Sequence, residues 1–173
     1  MARNPTKVPG TRTARAPPAS MLYTLEVTLT GGPITEAFLR RNPVVSRTLQ
    51  IRGNQTLQDL HWAIYKAFDR DEDHLFEFQI GGKGASGRGA RLYQAKGWVQ
   101  DLMGESPSAD ASRTKIGSLG LKTRQAFRYW FDFGDDWMHR VKVVSIEDKA
   151  PPGKFPRETA RVGKSPPQYP DFD

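Results

Sequence analysis

From Tyr23 onward apolar and polar side chains alternate: Tyr23, Leu25, Val27 and Leu29 fall between Thr24, Glu26 and Thr28. A period of two puts each set on one face, which predicts a half-buried strand. Gly31-Gly32-Pro33 breaks the pattern, and "ITEAFLRRNP" predicts a short helix carrying Phe38 and Leu39 that Pro43 stops. Alternation returns in "VVSRTLQIRG", with Val45, Leu49 and Ile51 on one face of a second strand. The period then changes. Leu57, Leu60, His61, Ile64, Tyr65 and Phe68 recur at steps of three and four, which is the apolar stripe of an amphipathic helix. Thr56 is placed to cap it, Asp59 completes an acidic capping box, and the acidic run from Asp69 to Asp73 ends it. Phe76, Phe78 and Ile80 mark a third strand. Strand, strand, helix, strand predicts an α+β fold: a mostly antiparallel sheet with one helix packed across one face.

The second half of the ordered chain holds the densest polar and aromatic stretch, "FRYWFDFGDDWMHRV" at residues 127–141. Phe127, Tyr129, Phe131 and Phe133 fall at every second position and predict the inner face of a strand; Arg128, Trp130 and Asp132 share the other face. "GDD" is a turn element in which Gly134 supplies backbone freedom and the aspartates bond nearby amides. Trp137, His139, Val141 and Val143 alternate down a returning strand, so the segment predicts an antiparallel hairpin. Between the strands, the glycine-rich stretch 81–91 lacks a Gly-Lys-Ser/Thr ending and a following helix start, so it reads as a flexible surface loop rather than a phosphate cradle. Trp98, Val99 and Leu102 suggest a helical turn, 104–113 a polar loop, and Ile116, Leu119 and Leu121 core anchors. From residue 150 the chain is proline-rich and reads as an extended strip anchored by Phe155 and Tyr169.

Charge changes the picture at the ends. The net charge is +7, but residues 1–20 carry Arg3, Lys7, Arg12 and Arg15 and no acid, whereas residues 21–148 carry 17 basic against 16 acidic residues. The organisation expected is therefore a disordered basic arm over 1–20 and one α+β domain over 21–173. The four arm cations are candidates for sequence-independent contact with nucleic acid. There is no cysteine, which excludes disulfides and thiolate metal sites, and no apolar run long enough to span a membrane. A soluble, cytoplasmic protein is the expectation.

Candidate chemistry is sparse. Asp135 and His139 share a side of the hairpin, and His61 would have to join them for a metal site; His74, at the start of the third strand, is a further weak candidate. Against this, a lone histidine on an apolar helical stripe is more often a satisfied core residue. No Gly-x-Ser-x-Gly elbow exists, and no serine has an evident histidine partner. Nothing calls for a cofactor.

In combination, "TLQDLHWAIYKAFDRDEDHLFEF", "SLGL" and "YWFDFGDDWMHRVKVVSIE" resemble the plasmid pRi ORF-three-like family, over roughly residues 21–170. Its members are often labelled insertion-element passengers of a TnpR-like kind. The resemblance implies a β-grasp-like α+β domain and draws attention to His61, Asp132, Gly134, Asp135, Asp136, Trp137 and His139 as motif positions. This chain departs from many members at "GGPITEAFLRRNPVV", at His74-Leu75-Phe76 and at Lys164-Ser165-Pro166-Pro167-Gln168-Tyr169, and it has no serine-recombinase signature. The function expected is a non-enzymatic binding module of a mobile element, touching nucleic acid through its arm. A protein-interaction domain, or a metal-dependent enzyme built on His61, Asp135 and His139, are the alternatives.

Overall fold

A computed structural model describes residues 18–82, 88–95 and 108–171. The expected first elements all form: β1 (Leu22–Gly31), α1 (Glu36–Arg41), β2 (Ser46–Arg52), α2 (Leu57–Ala67) and β3 (Phe76–Ile80). They are followed by β4 (Arg91–Gln94), β5 (Ala109–Asp110), β6 (Ala126–Phe131), β7 (Trp137–Glu147) and β8 (Arg157–Val162). The eight strands make one mixed sheet in the order β5-β4-β3-β6-β7-β1-β2-β8. Every neighbouring pair is antiparallel except β4 with β5. The architecture is thus α+β and dominated by its sheet.

Local chemistry explains α2. The Thr56 hydroxyl accepts from the Asp59 amide at 3.1 Å, and the Asp59 carboxylate accepts from the Thr56 amide at 2.7 Å, closing the capping box. Its stripe, Leu57, Leu60, His61, Ile64 and Ala67, is buried. It faces the inward residues of the sheet: Leu25 and Val27 of β1, Leu49 and Ile51 of β2, Phe78 of β3, Tyr129 and Phe131 of β6, and Val141 and Val143 of β7. The opposite, outward positions of β6 and β7 are partly or fully exposed.

Four expectations are corrected. In the hairpin Phe131 pairs with Trp137, so the strand ends before Phe133. Asp132 takes a left-handed φ of 55° and turns the chain outward, and Phe133 packs on Trp130 with ring centroids 4.2 Å apart instead of joining the inner row. The left-handed positions of this turn are Asp132 and Asp136 (φ 54°), not Gly134; aspartate tolerates that region because its short carboxylate bonds the local backbone. In the strip, Phe155 does anchor, lying within 5 Å of the Arg52 and Arg157 guanidinium groups, but Tyr169 is 52% exposed and the buried residues are Pro166 and Gln168. Finally, 104–113 is not all loop: Ala109–Asp110 forms β5 beside β4, and Ala111 is fully buried. Residues 83–87 of the glycine-rich stretch and the helical turn read at 97–103 lie outside the described residues.

Arg47 stands in phase with Val45, Leu49 and Ile51 and is wholly buried. Its Nε donates to the Ala67 carbonyl at 2.7 Å, one of the carbonyls that the end of α2 leaves without a helical partner. Nη1 donates to Val162 and Gly163 carbonyls at 2.9 and 3.2 Å, and Nη2 to the Ser165 hydroxyl at 2.8 Å. One guanidinium therefore ties the helix end to the C-terminal strip. Each buried acceptor left bare costs about 1–3 kcal/mol. Arg47→Met is expected to lower unfolding free energy by roughly 3 kcal/mol or more in urea and to speed amide exchange across 162–169; a loss of under about 0.5 kcal/mol, the range of an ordinary surface change, would contradict this reading.

Candidate functional site

The motif residues meet at the turn end of the hairpin, where α2, the 69–74 turn and the strip close over the sheet. Tyr129, in the middle of β6, lies between two histidines. Its hydroxyl is 2.8 Å from His61 Nδ1, and its ring centroid is 5.3 Å from that of His139, its cross-strand partner on β7. His61 stacks on Phe76 at 3.8 Å, and Phe68 meets His139 edge-on at 4.8 Å. Arg70 covers Trp137, with its guanidinium carbon 3.6 Å from the ring centroid. Among the described residues none of its three guanidinium nitrogens has a hydrogen-bonding partner, and its charge is balanced at longer range by Asp132, Asp69 and Asp71.

Burial dominates the electrostatics. His61 and His139 are 0% and 2% exposed, and desolvation pushes both imidazoles down to about 3. The Arg70 cation depresses His139 further. His61 Nε2 lies 3.2 Å from Asp73 Oδ1, yet off the line a hydrogen bond requires, so that nitrogen stays unpartnered and the nearby carboxylate does not rescue the charged form. Desolvation likewise raises Tyr129 well above the usual phenol range and lowers Arg70 to about 10, which leaves Arg70 a cation at neutral pH. Two neutral histidines, a protonated phenol and a cation held on an indole form a packed polar interior, shut off from the proton exchange with solvent that acid–base chemistry needs.

A second cluster sits outside it. His74 Nε2 is 2.7 Å from the Tyr169 hydroxyl, which donates to Glu72 Oε2 at 3.0 Å; Asp132 Oδ2 is 3.6 Å from the same nitrogen. Asp132 is 7% exposed, and its Oδ1 accepts from the Gly134 amide at 3.1 Å. The Gln168 side chain fastens the strip beside this cluster: Oε1 accepts from the Asp71 and Glu72 amides, and Nε2 donates to the Glu72 carbonyl.

Of the motif residues, His61, Trp137 and His139 enter the interior and Asp132 its rim. Gly134, Asp135 and Asp136 form the turn, where Asp136 Oδ1 accepts from the Trp130 indole at 2.9 Å. The suggested metal trio of His61, Asp135 and His139 is not assembled: the histidines face Tyr129 from two sides and Asp135 stays in the turn. Among the described residues no three histidine, aspartate or glutamate groups are placed to hold a metal ion. Arg3, Lys7, Arg12 and Arg15 lie outside the described residues. Sequence reasoning passed over Arg47, Arg70 and Gln168. The alternation of β2 places Arg47 inward and would have flagged it; nothing in the local pattern distinguishes Arg70 from its acidic neighbours.

The two buried histidines make stability depend on pH. In the unfolded chain each takes up a proton below about 6.5; in the folded chain neither does until about 3. Stability therefore falls as pH drops from 6.5 toward 3, by about 1.4 kcal/mol per pH unit for each histidine at full slope. His139→Leu, which replaces a buried imidazole by an apolar side chain, is expected to reduce that slope by about one histidine's worth. Urea unfolding at several pH values measures this, and an unchanged slope would refute the buried neutral state.

An uncharacterised protein of Sinorhizobium fredii, y4hQ, is 28% identical over 102 residues, which is 58% of this chain and 46% of that protein. This chain thus spans about half the length of that relative. The crystal structure of MM3350 from Methanosarcina mazei Go1, a protein of unknown function, superposes with a TM-score of 0.66 at 25% identity, covering 86% of this chain and 72% of the other. Residues 34–169 match the plasmid pRiA4b ORF-3-like protein family, and with that span, which includes the capped helix and the whole aromatic hairpin, the chain belongs to it.

Proposed function

We propose that this protein is a non-enzymatic binding module of a mobile genetic element, with nucleic acid as its partner and Arg3, Lys7, Arg12 and Arg15 as one set of contacts. The observation that carries the reading is the withdrawal of two motif histidines, His61 of α2 and His139 of β7, into the interior. His61 and His139 are held neutral under packed rings, and their side chains serve the core rather than a reacting molecule. The plasmid origin in the family's description supports the mobile-element setting. The helix that follows the β1–β2 hairpin and crosses the sheet supports describing the domain as β-grasp-like.

A protein partner is the second reading, and one feature favours it. β8 is an edge strand whose residues are all exposed, and Val162 and Val44 beside it are 52% and 51% exposed. An unpaired edge with adjacent apolar side chains is suited to accepting a strand from another chain.

Replacing Arg3, Lys7, Arg12 and Arg15 together by alanine is expected to weaken binding to duplex DNA at low salt. The slope of log affinity against log salt should fall by about 0.9 for each phosphate that the arm no longer neutralises. An unchanged slope would reject the arm's role. Absence of any nucleic-acid binding by the unmodified chain, together with a protein that stays bound through β8, would replace this reading with the second.

A further inference from the structure

The outward face of β6 and β7 has features that a merely solvated sheet surface does not need. Arg128 and Arg140 stand directly opposite each other across the two strands, flanked by Gln79 of β3 and Thr28 of β1 in the same row. Like charges in that relation, with side chains roughly 5 Å apart at their base, destabilise a sheet unless something negative lies between them. Among the described residues neither arginine has a hydrogen bond or ion pair, nor does Lys142 one row along have an ion pair. Glu26 of β1 stands opposite Lys142 one row away, with no ion pair to it or to either arginine among the described residues, and the other two neighbouring carboxylates are engaged elsewhere. Glu77 accepts from the side chains of Gln79 and Gln94 at 2.7 and 2.6 Å, and Asp136 holds the Trp130 indole. Beside the pair lies an open groove of about 440 Å³ whose lining includes Thr30, Arg128, Met138 and Arg140 together with Phe127 and His139 of the inner rows.

The next outward position on β6 is Trp130. Its indole is half-buried, fixed through Nε1 by Asp136, and packed against the Phe133 ring at 4.2 Å. An oriented aromatic pair thus adjoins two unpaired guanidinium groups on one flat surface. Guanidinium forks match phosphate oxygens, and an aromatic ring gives a base a surface to stack on. An acidic peptide would satisfy the arginines but has no use for the indole. A duplex keeps its bases stacked inside and offers no free base face to the indole.

We infer that this face binds single-stranded nucleic acid, with Arg128 and Arg140 on the backbone phosphates and Trp130, set by Phe133 and Asp136, stacking a base. The inference rests on the nucleic-acid reading above and adds to it a second, separate binding surface and the strand state of the ligand.

The test uses the full chain and a labelled mixed-sequence single-stranded oligonucleotide at low salt, read by fluorescence anisotropy. Arg128→Gln with Arg140→Gln is expected to weaken binding more than tenfold and to reduce its salt slope by roughly 0.7 for each phosphate that is no longer neutralised. Trp130→Leu is expected to weaken single-strand binding by roughly tenfold while leaving duplex binding through the arm unchanged. All three positions point outward, and circular dichroism with thermal unfolding verifies that each variant folds. If the unmodified chain binds the oligonucleotide and these variants bind equally well, the face is rejected while the nucleic-acid reading stands. If the unmodified chain binds no nucleic acid, the reading itself fails. If a polyglutamate peptide displaces the oligonucleotide at equal concentration and Trp130→Leu changes nothing, the surface serves an acidic protein and the inference is overturned.

Discussion

A sheet of eight strands in this protein is covered along one face by a single helix of 11 residues and the C-terminal strip. That asymmetry sets the rest. One short helix cannot fill the space beneath so wide a sheet with aliphatic side chains alone, and the inward rows of β3 and β6 supply Phe76, Phe78, Phe127, Tyr129 and Phe131. Rings bury more area than branched chains, and they bring polar edges with them. The Tyr129 hydroxyl needs a partner in the interior and finds His61 on the helix. The histidine of the helical stripe and the histidine of the hairpin are thereby drawn into one apolar environment, and its low polarity keeps both uncharged.

The same asymmetry gives charged groups on the covered side a structural task. Arg47 gathers carbonyls from the end of α2 and the start of the strip, and Arg70 closes over Trp137. Arg161 reaches Asp69 at 2.6 Å and Glu158 at 2.8 Å, which fastens β8 to the turn after the helix. These partners are local and directional, and each holds the strip or the 69–74 turn against the sheet. On the opposite face no such partners serve Arg128 and Arg140 among the described residues. The contrast between engaged and idle arginines in one molecule is what motivates the binding surface proposed for that face.

Much of this was legible in the chain. Period-two alternation located β1, β2, β3, β6 and β7, and the Thr56–Asp59 box located the start of α2, because both signals are local and use backbone geometry alone. Where local signals compete with tertiary ones, the reading failed. Phe133 continues the alternation of β6, but the turn geometry at Asp132 ends the strand at Phe131, two residues earlier, and nothing in the spacing announces it. Tyr169 has the composition of an anchor, whereas Gln168 does the anchoring because its amide meets three backbone groups of a turn nearly a hundred residues away. The site was legible only as a set of residues. That His61 and His139 would flank the same tyrosine depends on the pairing of β6 with β7 and on where α2 crosses them, which spacing along the chain does not contain.

Most depends on His61 and His139 being interior structure, neutral and withdrawn from solvent. The most direct measurement of this is the side-chain nitrogen chemical shifts of the histidines, followed by NMR as a function of pH in the intact protein. The account predicts that His61 and His139 hold the shifts of neutral imidazoles from pH 8 down to the onset of acid unfolding, each as a single tautomer, with the His61 shifts perturbed by Tyr129→Phe. A His61 or His139 resonance that titrates near its ordinary value of 6.5 while the protein stays folded would contradict it.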